Sequence, residues 1–179
     1  TRLRLKSNAL ALTTTGVIDL GKSAFDQFRV EAMLLTPGAI APNLNGRSVI
    51  GAVALNGPFA TPTVDYKVQA AALGFGETRL GRVYAEGLAT VNADRILVPI
   101  KARAARISGL NAAAGGLLTN VTLSGDLAIT GPQILSENLR IRSDRIDATA
   151  VLAANVATGR YTGALKGRVN DYRIDGVGI

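Results

Sequence analysis

The stretch Gly51-Ala52-Val53-Ala54-Leu55-Asn56-Gly57-Pro58 returns as Gly125-Asp126-Leu127-Ala128-Ile129-Thr130-Gly131-Pro132, and this recurrence narrows the possible folds more than any other feature of the sequence. The offset is constant: 125 − 51, 129 − 55 and 132 − 58 all give 74, and upstream Leu44 falls on Leu118 and Val49 on Leu123. In each copy the apolar residues sit two apart and a Gly-Pro closes the run, the pattern of a half-buried strand ending in a turn. A second echo, Val91-Asn92 with Arg95-Ile96 against Val169-Asn170 with Arg173-Ile174, has an offset of 78, so the loops absorb roughly four inserted residues. A period this long predicts an array of β units rather than a closed globule. No linker, charge block or low-complexity tract divides it, so residues 1–179 are expected to form one unit, about two and a half repeats of a longer array.

Alternation elsewhere extends the same reading. Leu3 and Leu5 point opposite to Arg2, Arg4 and Lys6, and Phe28, Val30, Ala32 and Leu34 share a parity within 25–35. Val64, Tyr66, Val68, Ala70 and Ala72 oppose Asp65, Lys67 and Gln69, while Val98, Ile100, Ala102 and Ala104 oppose Lys101 and Arg103. Short strands are expected at 83–88 and 90–96, and a turn at Gly74-Phe75-Gly76-Glu77. The second copy continues through Leu139 and Ile141 with Arg140 and Arg142 outward, then Ile146 to Leu152, then Leu165 and Val169 with Lys166 and Arg168 outward. Only two segments suggest helix: Thr36 to Pro42, with a cap and a first-turn proline, and the alanine-rich Ser108 to Leu118.

Composition decides what chemistry is open. With no cysteine and no histidine, disulfides, thiolate chemistry, imidazole metal sites and histidine acid-base catalysis are excluded. Hydrophobic residues make up 47% of the chain but aromatics only 4%, so the apolar surface is built from Ala, Val, Leu and Ile. No run approaches a membrane span. The chain opens and closes inside an alternating pattern, so it reads as a piece of a longer protein whose anchor or targeting signal lies out of view.

No constellation points to an enzyme, a metal site or a cofactor. Gly74, Gly76 and Gly81 lack the spacing and following helix of a dinucleotide loop and read as a turn. Asp144 and Asp147 flank Arg145 with no partner cluster, as at a solvated strand end, and Asn120-Val121-Thr122 is a common chance sequon. The net charge of +7 resolves into alternating basic pairs on separate strands, which reads first as a soluble outer wall. Nucleic-acid binding lacks both stacking aromatics and a docking element, which leaves attraction to anionic lipid head groups as the other use of that charge.

The apolar face is the feature that can carry function. A sheet with one aliphatic face must cover it with helices, cover it with a second sheet, or curl on itself, and this chain has almost no helix. The pattern Pro37-Gly-Ala-Ile-Ala-Pro-Asn-Leu44, Gly51-x-Val-x-Leu-x-Gly-Pro58 and Pro62-x-Val-x-Tyr66 resembles the repeat of the TamB-like proteins, within the AsmA-like group of Gram-negative envelope proteins. The resemblance implies an all-β, elongated sheet curled into a U-shaped, taco-like hydrophobic groove with at most short helical turns. It implies a periplasmic location, an inner-membrane anchor in the full-length protein, phospholipid acyl chains as cargo, and an Omp85-type outer-membrane partner reached through parts absent here. Two functions follow as expectations: a lipid conduit between the membranes, or a scaffold that holds client strands by β-augmentation during autotransporter and outer-membrane barrel assembly. Under the conduit reading the groove is lined by Val53, Leu55, Val64, Tyr66, Val68, Val98, Ile100, Leu127, Ile129, Leu139, Ile141 and Leu165.

Overall fold

The alternating segments do form strands, and the computed structural model describes residues 2–39, 44–92, 94–110, 117–155, 157, 158 and 160–169. In order these are β1 (Arg2–Lys6), β2 (Leu10–Asp19), β3 (Ala24–Leu34), β4 (Leu44–Arg47), β5 (Val49–Pro58), β6 (Thr63–Phe75), β7 (Thr78–Val91), β8 (Ile96–Ser108), β9 (Leu117–Thr130), β10 (Gln133–Arg142), β11 (Ile146–Asn155) and β12 (Arg160–Val169). They make a single antiparallel sheet from β1 at one edge to β12 at the other, in which sequence neighbours pair except that β3 pairs β5 and β4 pairs β6. The sheet is not closed. Each strand's substantial contacts are with its ladder neighbours, so among the described residues no second layer covers either face.

β4 and β5 are one strand with a break. Leu44↔Phe75 and Ile50↔Gln69 keep one register against β6, and the interruption falls on Ser48, whose φ is +53°. The repeated stretches therefore occupy this broken strand and the unbroken β9, with β6, β7 and β8 between them, so one period spans four ladder positions.

Ser48 has two counterparts, Arg82 (φ +50°) and Asn120 (φ +53°). Following the register, Ser48, Ala71, Arg82, Ala105 and Asn120 fall on one line across β4/β5 to β9, with left-handed residues on alternate strands. A non-glycine left-handed residue costs about 1–2 kcal/mol, so three in line mark a built feature rather than scatter. Such a residue breaks the pleat and turns the strand. It also switches which parity is apolar: Val49, Ala70, Ala104 and Val121 on one side of the line hand over to Leu73, Leu80, Ile107 and Leu118 on the other. At the break in β4/β5, Gly46 and Val49 come together on the apolar side: a Cβ added to Gly46 would lie 2.6 Å from Val49 Cγ2, three residues on.

Burial is correspondingly thin. Val49, Ala70, Ala89, Ala104, Leu118, Val121, Leu139 and Ala148 form the buried apolar set, and no described side chain is completely enclosed. The accessible surface is 12178 Å². A compact monomer of this mass, 18.5 kDa, exposes about 8,200 Å².

Three expectations are corrected. The strands foreseen at 83–88 and 90–96 are one long β7, because the turn falls at Asn92–Arg95, where the two residues exchange backbone hydrogen bonds (2.9 and 3.3 Å). Gly74 and Phe75 belong to β6, and the turn is the tighter Gly76-Glu77, with Gly76 at φ +58°. The ends of the alanine-rich helix candidate are strand, Ser108 closing β8 and Leu117-Leu118 opening β9, while 111–116 lie outside the described residues. The crossover does contain a short 3-10 turn, at Pro37–Ala39. Of the second echo, Val169 closes β12, while Asn170, Arg173 and Ile174 lie outside the described residues.

Candidate functional site

Directly opposed residues in an antiparallel ladder share a face, so the register sorts every strand residue. One complete cross-strand row reads Leu5–Leu12–Ala32–Gly51–Val68–Ala85–Ala102–Leu123–Ile141–Ala148–Gly167. It is aliphatic or glycine from edge to edge. The adjacent row, on the other face, reads Arg4–Thr13–Glu31–Ala52–Lys67–Glu86–Lys101–Ser124–Arg140–Thr149–Lys166 and contains one alanine among polar and charged residues. Along these two rows the faces are chemically opposite from edge to edge, while in other rows Met33, Leu88, Leu135 and Val151 stand exposed on the charged face.

All twelve residues named from the sequence lie on the aliphatic face. Val53 stands between Val30 and Tyr66, Leu55 between Phe28 and Val64, and Val68 between Gly51 and Ala85. Val98 faces Leu127, Ile100 faces Gly125, and Ile129 stands between Ile96 and Ile134. Leu139 faces Ala150, Ile141 stands between Leu123 and Ala148, and Leu165 faces Ala150 from the edge strand. Their accessibility is uneven. Leu139 is 8% exposed and Leu165 63%, so the first is a packing residue and the second an open one; the other ten are half-buried.

Tyr66 has a job that the alternation did not reveal. Its hydroxyl donates to the Pro99 carbonyl at 2.7 Å, two strands away, and its ring lies over Gly87, where an added Cβ would fall 2.6 Å from the phenol oxygen. The β7–β8 pairing is interrupted between Glu86↔Lys101 and Thr90↔Leu97, and Tyr66 bridges the gap. Burial raises its pKa, which keeps the hydroxyl a donor. A tyrosine opposed by a glycine on the next strand is the signal in the sequence, legible only once the register is known.

Two matched bulges shape the same face. Gly16 (φ +119°) faces Gln27 and Phe28, and Gly125 (φ +146°) faces Asn138 and Leu139; a Cβ at either would meet backbone within 3.0 Å. In each case an asparagine side chain accepts from a backbone N–H at 2.8 Å, Asn56 from Gln27 and Asn138 from Asp126. Ser136, the buried polar residue of this face, donates to the Asp126 carbonyl at 2.6 Å, so the bulge leaves no orphaned hydroxyl. At the other end, Asp144 accepts from Thr119 (2.6 Å) and Asn120 (2.9 Å), tying the β10–β11 turn to the left-handed residue of β9. Those two bonds hold its carboxyl below the usual range, as the hydrogen bond from Arg140 does for Asp147.

No family model, curated protein or solved structure matches this chain. The site therefore rests on its own geometry. Among the described residues no cluster of His, Cys, Asp or Glu has the grouping of a metal site, and on the aliphatic face the Tyr66 and Ser136 hydroxyls are bonded to backbone carbonyls. An uncovered aliphatic face of small, repetitive side chains can hold flexible apolar chains without selecting one shape.

Proposed function

We propose that this chain is an acyl-sheltering segment: its aliphatic face curls into an open trough that carries phospholipid chains while the charged face stays in water. The unbroken aliphatic row from Leu5 to Gly167 carries the reading, together with the lack of a second layer over it among the described residues. The line of left-handed residues at Ser48, Arg82 and Asn120 supports the curl, because such residues break the pleat at one level on alternate strands. Each methylene moved out of water gains about 0.8 kcal/mol, so a chain spread over several strands is held firmly, while neighbouring strands offer nearly equal surfaces and leave no deep trap. The setting proposed with it is that of the TamB-like proteins: periplasmic, inner-membrane anchored in the full-length protein, between the two membranes of a Gram-negative envelope. Native mass spectrometry of the purified chain tests it. Adducts of phospholipid mass that disappear when Ile141 is changed to Glu are expected, and a folded protein free of lipid at every detergent-free preparation would end the proposal.

A further inference from the structure

The charged face of the sheet gathers arginines near the line of left-handed residues. Arg47 on β4, Arg79 and Arg82 on β7, Arg103 and Arg106 on β8 and Arg142 on β10 are all exposed. Arg47 and Arg106 share one cross-strand line through Ala72 and Gly81, and Arg103 and Arg142 share another through Thr122. A Cβ added to Gly81 would meet nothing nearer than 3.9 Å, so the space beside Arg106 is open.

A wall that serves solubility mixes its signs, as this sheet does elsewhere: Lys67 stands between Ala52 and Glu86, and Glu86 between Lys67 and Lys101. Around the line of left-handed residues arginine predominates, and the carboxylate that stands there, Asp144, is bonded to Thr119 and Asn120 rather than to an arginine. Among the described residues Arg47, Arg79, Arg82 and Arg106 enter no ion pair; Arg142 shares Asp147 with Arg140, at 3.5 and 3.3 Å. Crowded like charges oppose folding, and an anionic partner relieves them. Arginine in place of lysine suits phosphate, whose oxygens accept two parallel N–H bonds from one guanidinium. By register Arg47, Arg79, Arg103, Arg106 and Arg142 stand on the face opposite the aliphatic row, so one anionic surface can meet them together along a crest of charge. A nucleic-acid strand would need stacking faces, and the Tyr84 ring nearby is already covered by Arg103 at 4.8 Å.

We propose that this arginine crest docks the sheet on a bilayer surface that bears anionic phosphate head groups. The proposal does not rest on the acyl-sheltering reading, since a sheet that carried no lipid would dock in the same way. Flotation with vesicles tests it. The chain is expected to bind vesicles of phosphatidylcholine mixed with phosphatidylglycerol, to ignore pure phosphatidylcholine, and to release as salt is raised. Replacing Arg79, Arg82 and Arg106 together by Gln is expected to weaken binding about a hundredfold, whereas the same charge removed at Arg4, Arg29 and Lys67 costs much less. Equal losses from the two triple variants would overturn the crest, and so would equal binding to both vesicle types, or retention of a single-stranded oligonucleotide without vesicles. Should the crest variant fail to give a β-sheet circular dichroism spectrum, the salt and lipid dependence of the wild type decides alone.

Discussion

Gly16 and Gly125 show how much this sheet asks of single residues. Both hold φ values that side chains avoid, and both face bulged backbone that a Cβ would strike. Gly51, the sequence equivalent of Gly125 in the first copy, has an ordinary φ and open space around it, so the repeat preserves the residue but not its role. Gly125→Ala and Gly16→Ala are expected to cost more than about 1 kcal/mol each in urea unfolding, and Gly51→Ala to cost less than that. Leu139→Ala, at the same bulge, removes a buried side chain and is expected to cost about 2–5 kcal/mol, against less than about 0.5 for Lys67→Gln on the wet face. Asp144 and Asp147 set the pH response. Their folded pKa values lie below the unfolded ones, so their contribution is present above the ordinary carboxylate range, about pH 4, and is lost as pH falls through the folded values. The unfolding midpoint is expected to fall on acidification below that point, and less so in Asp144→Ala, which lacks part of the term.

At the scale of the strands, the line through Ser48, Arg82 and Asn120 decides the shape. Ser48→Gly relieves a strained backbone and is expected to leave the unfolding midpoint unchanged or raised, whereas Ser48→Val places a β-branched residue where φ is positive and lowers it. Tyr66→Phe leaves the Pro99 carbonyl without its donor, with an expected loss of about 1 kcal/mol and faster amide exchange along the β7–β8 gap. Strand existence and facing were legible in the sequence because alternation is a local property: Val64, Tyr66 and Val68 against Asp65 and Lys67 needs no partner to be read. The bend was not. A left-handed serine, arginine or asparagine has no local signature, and the parity switch from Ala70 to Leu73 looks like a lapse in the pattern until neighbouring strands are seen to switch in register. Tyr66 was placed on the right face, but its bond to Pro99 depends on which strand lies two positions away, which no single segment records.

For the molecule as a whole, eleven ladder positions about 4.8 Å apart make a sheet roughly 48 Å wide with little folded over it. The radius of gyration by small-angle scattering is expected to exceed clearly the roughly 16 Å of a compact chain of this length. Both the openness and the two unlike faces follow from a composition rich in small aliphatic residues and poor in aromatics: such side chains tile a face evenly but do not interlock into a thick core. The central functional proposal is that the aliphatic face meets lipid chains. Photo-reactive side chains at Val53, Val68, Leu127 and Ile141, compared in cells with the same group at Lys67 and Arg140, test it most directly. Phospholipid adducts at the first four and none at the last two are the expected result; adducts to unfolded barrel protein at the aliphatic sites, without lipid, would contradict it and favour a client-strand scaffold on the same sheet.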